Sequence, residues 1–151
     1  MIRRGNKCEC ETLNNIAVNS EAYWGYNSTF MENFKSLYKI SEELITANKT
    51  YVIEENGNVI GFYIVLIDSN EANLEYFYIA PEYIGKGYGK LLWHHMVDIC
   101  RKNYVNHIVL VTSPQAKEFY IRMGAKQVEE VDSIVIKGRK IPKLIYIIEK
   151  E

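Results

Sequence analysis

The spacing of apolar and polar residues changes period several times along the chain, and each change predicts an element. Met1 to Arg4 reads as a short strand broken by Gly5-Asn6. From Glu9 to Asn19 the residues Leu13, Ile16 and Ala17 recur at helical spacing, and Phe30, Phe34 and Leu37 do the same from Ser28 to Tyr38. Tyr23-Trp24-Gly25-Tyr26 interrupts the two helices. Ser41-Glu42-Glu43-Leu44 has the form of an N-cap followed by acids in the first turn of a short helix. Two strands follow, Thr50 to Glu54 and Val59 to Ile67, joined at Asn56-Gly57, a type I′ hairpin signal.

A turn at Asp68-Ser69-Asn70-Glu71 leads into Leu74-Glu75-Tyr76-Phe77-Tyr78-Ile79, a run of aromatic and branched residues that reads as a strand ended by Ala80-Pro81. The helix predicted from Leu91 to Lys102 has an apolar stripe of Tyr88, Leu92, Met96, Ile99 and Cys100. His107 to Thr112 is the next strand. A right-handed crossover should set it parallel to Leu74–Ile79. Ser113-Pro114 opens a helix from Gln115 to Met123, with Gly124 suited to its C′ position. Lys126 to Ile136 and Ile141 to Glu149 then form a hairpin around Lys137-Gly138-Arg139-Lys140.

Composition narrows the class. At 151 residues and 48% hydrophobic, one domain over residues 1–151 can bury about 70% of its unfolded surface. A net charge of −1 argues against nucleic-acid binding, which calls for a basic excess. No apolar run reaches the roughly 18–20 residues of a membrane span and no signal-peptide core precedes the first elements, so a cytoplasmic protein is expected. Cys8, Cys10 and Cys100 form no paired metal-binding spacing and read as reduced thiols. His94 and His95 are adjacent on a helix and diverge by about 100°, so they read as a solvated face. No metal is expected.

The candidate chemistry lies in Gly85-Lys86-Gly87-Tyr88-Gly89-Lys90, between strand and helix. The first amides of a helix lack intrahelical acceptors and the helix dipole favours negative charge there. Glycines permit positive φ and keep Cβ atoms away from a bound phosphate, while Lys86 and Lys90 add charge. A diphosphate is the natural guest; the plain alternative is a turn that only caps the helix. A P-loop is excluded because Gly89-Lys90 is followed by Leu91 rather than Ser or Thr. A Rossmann fingerprint is excluded because Lys90 stands where its third glycine belongs, and His107–Thr112 ends without the ribose-binding acid.

Leu74 to Lys90 resembles motif A of the GNAT N-acetyltransferase superfamily. That motif reads Gln or Arg, two variable residues, Gly, one variable residue, then Gly or Ala. Here Ile84 takes the place of the Gln or Arg, with Gly87 and Gly89 in the glycine positions. A second family signature is matched from Ser113 to Gly124 through Ala116, Phe119, Tyr120 and Gly124, with Ser113 in place of Asn. The order of elements also resembles the GNAT topology. The resemblance implies a mixed α/β fold: a single central, mostly antiparallel sheet with one parallel strand pair, flanked by about four helices.

The resemblance further implies acetyl-CoA as co-substrate, bound by the amides of Gly85, Lys86, Gly87, Tyr88, Gly89 and Lys90, with Ser113 and Ala116 nearby. The backbone around Phe77, Tyr78 and Ile79 would pair with the pantetheine arm, and an amide of that strand would stabilise the oxyanion. Tyr120 is the implied acid for the departing thiolate. Glu75, the only ionisable side chain within Leu74–Ile79 apart from the tyrosines, is a candidate base or a solvent-facing acid. Trp24 and Tyr26 belong to the region that covers the acceptor pocket in GNAT proteins, or to the core. The expected function is acetyl transfer to an amine of a small molecule or peptide, with a homodimer as one possible assembly and neither nucleic acid nor membrane as partner. The rival from another class is a non-catalytic acyl-CoA-binding sensor, and a nucleotide-binding protein is more distant.

Overall fold

The computed structural model describes residues 1–149. A short strand β1 (Ile2–Arg4) is followed by helices α1 (Cys10–Ala22), α2 (Ser28–Leu37) and α3 (Glu42–Ala47). Strands β2 (Lys49–Glu55), β3 (Asn58–Asp68) and β4 (Glu71–Ile79) come next, then α4 (Tyr88–Lys102), β5 (His107–Val111), α5 (Lys117–Arg122), β6 (Lys126–Asp132) and β7 (Lys140–Ile147). The seven strands form one sheet in the order β1-β2-β3-β4-β5-β7-β6. Every pair is antiparallel except β4 with β5. This is the topology implied by the resemblance, with five α-helices among the described residues where about four were expected.

Local chemistry accounts for most boundaries. Asn56 and Gly57 both have positive φ, 53° and 79°, as a type I′ turn requires. Ser41 Oγ accepts from the Leu44 amide at 3.0 Å and starts α3, and Asn27 Oδ1 accepts from the Phe30 amide at 2.9 Å and starts α2. The last strands are shorter than expected. After Asp132 the chain leaves the ladder because Ser133 Oγ accepts from the amides of Val135 and Ile136, and this side-chain turn replaces sheet pairing.

Two apolar layers enclose the sheet. On one face, Leu13, Ile16, Phe30 and Phe34 of α1 and α2 pack on Val52, Phe62, Ile64 and Tyr76. On the other, Leu92, Trp93, Met96, Val97 and Cys100 of α4 pack on Tyr63, Val65, Leu74, Ile108 and Leu110. The α4 stripe keeps Leu92, Met96 and Cys100 as expected and widens to Trp93 and Val97, while Tyr88 and Ile99 are only half-buried. Met96→Ala in this layer should cost about 2–5 kcal/mol. Leu37, expected on the α2 stripe, is 50% exposed because the helix ends there. His95 leaves the solvated face predicted for it: its Nδ1 lies 2.9 Å from the Tyr63 hydroxyl, and burial lowers its pKa.

One irregularity shapes the centre of the sheet. Ile64 pairs with Tyr76 and Val65 with Leu74, so Glu75 is skipped as a bulge. Without it, Leu74 and Tyr76 would share a face. With it, Leu74 packs under α4 and Tyr76 under α1 and α2.

Candidate active site

The parallel ladder between β4 and β5 ends at Asn73 and Val109, after which β5 pairs with β7 alone. The expected parallel pairing is present but lies before Leu74. Among the described residues β4 is paired from Leu74 onward only with β3, and the sheet opens as a wedge. The Ala80 amide donates to Ile60 O at 2.7 Å. By strand alternation, Tyr78 then directs its backbone groups to β3, while Phe77 and Ile79 direct theirs to the open side. Ser20 of α1 closes part of that side, its Oγ donating to Ile79 O at 2.8 Å.

The glycine loop lies where β4 hands over to α4. Gly85 and Gly87 have φ of 82° and 90°, and Gly87 is the N-cap of α4. A Cβ on either would meet nothing within 4 Å, so the left-handed backbone is what demands glycine. Gly89 has a different task. It lies inside α4, and a Cβ there would sit 3.1 Å from Phe119 Cε1, so its absence lets α4 approach α5. Amides at the start of α4 have no intrahelical acceptor. Lys90 lines the adjacent cavity, whereas Lys86 turns its Nζ to 5.6 Å from the Tyr83 ring and Tyr88 packs edge-on against the same ring.

A cavity of about 660 Å³ joins this loop to the wedge and to the segments above it. Gly85, Gly87, Gly89, Lys90, Ser113 and Ala116 line it from the α4–α5 side. Trp24 and Tyr26 from the α1–α2 connection and Arg139 from the β6–β7 connection line it from the other side. The Tyr26 ring stacks on Phe30 at 3.8 Å, and its hydroxyl donates to Gln115 Oε1 at 2.7 Å and accepts from Arg139 Nη2 at 3.0 Å. One phenol thus ties three connections together. Trp24 is 37% exposed and stands edge-on to Tyr23.

Tyr120 enters from α5, buried among Phe77, Trp93 and Phe119 but lining the cavity. Burial, reinforced by the charge of Glu21, raises its pKa well above the ordinary phenol value, so it stays an O–H donor. Glu75 lines the cavity from the bulge, exposed, with its Oε2 accepting from Asn73 Nδ2 at 2.8 Å.

The residue missed in the sequence is Glu21. It sits in the last turn of α1, beyond the Asn19 boundary expected for that helix. Tyr78 Oη donates to Glu21 Oε1 at 2.8 Å. Burial raises the Glu21 pKa, against the opposing effects of that hydrogen bond and the Arg139 charge. A signal existed: Glu21 lies four residues after Ala17 and eight after Leu13, which continues the buried stripe of α1.

No curated protein sequence matches the chain. Among solved structures, the PaiA N-acetyltransferase of Thermoplasma acidophilum in complex with coenzyme A superposes with a TM-score of 0.82 at 24% identity, over 97% of this chain and 98% of that one. An aminoglycoside 6′-N-acetyltransferase complexed with coenzyme A gives 0.76 at 12% identity, over 100% and 98%. YncA from Salmonella typhimurium with acetyl-CoA gives 0.72 at 18%, over 100% and 95%. These likenesses establish the fold. The family model for the acetyltransferase (GNAT) family matches residues 17–125, which takes in the second half of α1, the bulged β4, the glycine loop and Tyr120. The chain belongs to the GNAT acetyltransferase family.

Proposed function

We propose that the chain is an acetyl-CoA-dependent N-acetyltransferase that passes an acetyl group directly to an amine of a small molecule or peptide. The observation that carries this reading is a single cavity holding a protonated phenol, Tyr120, and a carboxyl with a raised pKa, Glu21, beside the open edge of β4. Coenzyme A or acetyl-CoA in the similar structures supports the choice of co-substrate.

The residues present fit that co-substrate. Amides from Gly85 to Lys90 would hold its diphosphate, and the left-handed glycines leave the approach free of Cβ atoms. Phe77 and Ile79 would pair with its extended arm in the wedge, in the manner of an added strand. Ser113 and Ala116 border the same channel. Acetyl-CoA supplies an acyl group activated as a thioester.

The chain supplies proton transfers and position. An alkylamine with a pKa near 10 is only about one part in a thousand neutral at pH 7, so a proton acceptor speeds attack. Glu21 is assigned that role over Glu75 because burial raises its pKa toward the working pH, whereas Glu75 is exposed. The Phe77 amide, facing the open side of β4, is the donor available to a developing oxyanion. Tyr120 gives its proton to the departing thiolate, whose conjugate acid has a pKa near 8.5.

Wild-type protein incubated with acetyl-CoA and a broad amine panel should release free thiol only when an amine is present, with the acetylated amine identified by mass. Tight coenzyme A binding without acetylation of any amine would overturn the reading in favour of an acyl-CoA sensor.

A further inference from the structure

Resting on that reading, we infer that Arg139 is a specificity residue that receives a carboxylate of the acceptor, so that the acceptor is an amino acid or a similar small amino-carboxylate. Arg139 lies in the β6–β7 connection, half-buried and lining the cavity. Its Cζ is 5.1 Å from the centre of the Tyr26 ring and 5.7 Å from that of Phe30, which holds the guanidinium plane in place.

What it lacks is an anion in contact: Glu21 feels its charge without reaching it. Among the described residues its guanidinium makes one hydrogen bond, from Nη2 to the Tyr26 hydroxyl, and has no carboxylate oxygen within 4.0 Å. A guanidinium has five N–H donors, so most of this fork is free. Arg3 shows the contrast, with Glu9 and Glu54 each at 2.7 Å. The aromatic wall and the bond to Tyr26 pre-organise Arg139 for a planar, bidentate anion.

The charges nearby favour both ends of such a molecule. Glu21 and Glu75 also line the cavity and suit an ammonium group. A purely cationic amine would leave the guanidinium facing like charge, while a neutral amine would leave its donors to water. Trp24, Tyr26 and Phe30 offer apolar surface to the remainder of the molecule. Because Arg139 keeps some contact with water, the discrimination should be about 10–100-fold, well short of the 10⁴ or more of a sealed hydrogen-bonding site.

The test uses acceptor pairs that differ only in the carboxylate: phenylalanine with phenylethylamine, leucine with isoamylamine, and an ω-amino acid with the matching alkylamine. In wild type the carboxylated member of at least one pair should be favoured by about 10–100-fold in kcat/KM. Arg139→Gln should collapse that ratio to within about threefold of unity, mainly through KM, and Arg139→Lys should restore part of it. Equal or better use of the decarboxylated member in every pair, or a ratio unchanged in Arg139→Gln, would overturn the inference. If no amine at all is acetylated, the transferase reading falls separately. Calorimetry of the same pairs on the coenzyme A-saturated protein then decides the role of Arg139, since absence of a carboxylate preference removes it.

Discussion

The glycine loop before α4 and the Tyr26–Arg139 arch line the same cavity, yet they are built from different parts of the polypeptide. On the loop side the working groups are backbone: amides at a helix start, two left-handed glycines and the unpaired edge of β4. On the arch side they are side chains from three connections, held by a phenol hydroxyl, two stacked rings and one guanidinium. Backbone sites present the same chemistry whatever residues surround them, and suit a partner shared by many proteins. Side-chain sites change with each substitution and suit a partner peculiar to one.

Tyr120 and Glu21 line the same cavity, and altering them should have the largest effect. Tyr120→Phe should lower kcat by about 10²–10⁴ while acetyl-CoA affinity hardly changes. An unaltered kcat would remove the phenol from the mechanism and leave the cavity a binding site only. Glu21→Gln keeps an acceptor for the Tyr78 hydroxyl but takes no proton, and should reduce kcat/KM by about 10²-fold at low pH. The defect should shrink as pH rises and the amine loses its proton unaided. Glu75→Gln should have less than about a threefold effect. A reversed ranking in the pH–rate profiles would return the base to the bulge.

The glycines sharpen the contrast at a smaller scale. Gly87→Ala forces a left-handed backbone on a residue with a side chain, at about 1–2 kcal/mol, and should weaken coenzyme A binding by roughly 5–30-fold in calorimetry. Gly89→Leu should instead destabilise the fold by about 1–3 kcal/mol in denaturant titration, because even a Cβ there stands 3.1 Å from Phe119 Cε1. Equal losses of binding with no loss of stability in either variant would assign both glycines to the ligand.

The smallest effect is a stability shift. Glu21 holds its proton more tightly folded than unfolded, so the stability this confers is present below the unfolded pKa and is lost as pH rises through the folded one. Glu21→Gln should therefore raise Tm relative to wild type at pH 7. That difference should fade toward pH 4, as scanning calorimetry can follow.

How far the site could be read from sequence follows the same division. Motif spacing and turn chemistry place the glycine loop, the I′ hairpin and Tyr120, because these are local. The bulge at Glu75 leaves no local mark: it is set by how β3 and β4 slide to satisfy two apolar layers at once. Glu21 is hidden in the sequence because the Tyr23–Tyr26 break makes α1 seem to stop early. Arg139 is one of three cations in the Lys137–Lys140 turn and nothing local sets it apart; the Ser133 amide, donating to Arg139 O at 2.8 Å, helps hold it over the cavity. Gly89 matched its motif for a reason the motif does not state.

The wedge beside β4 has one more consequence. Leu74–Ile79 is an aromatic, branched stretch with an unpaired side, the kind of segment that recruits strands from other molecules and seeds aggregates. Here the open edge lies in the interior of a sheet, with β5 converging on it at one end and α1 and α5 on its two faces. A neighbouring chain cannot slide its own strand in alongside without first prising the sheet apart. A slender flexible chain with few side groups meets no such obstacle, so the depth of the wedge guards this edge against strand addition while leaving its hydrogen-bonding groups open to a narrow ligand.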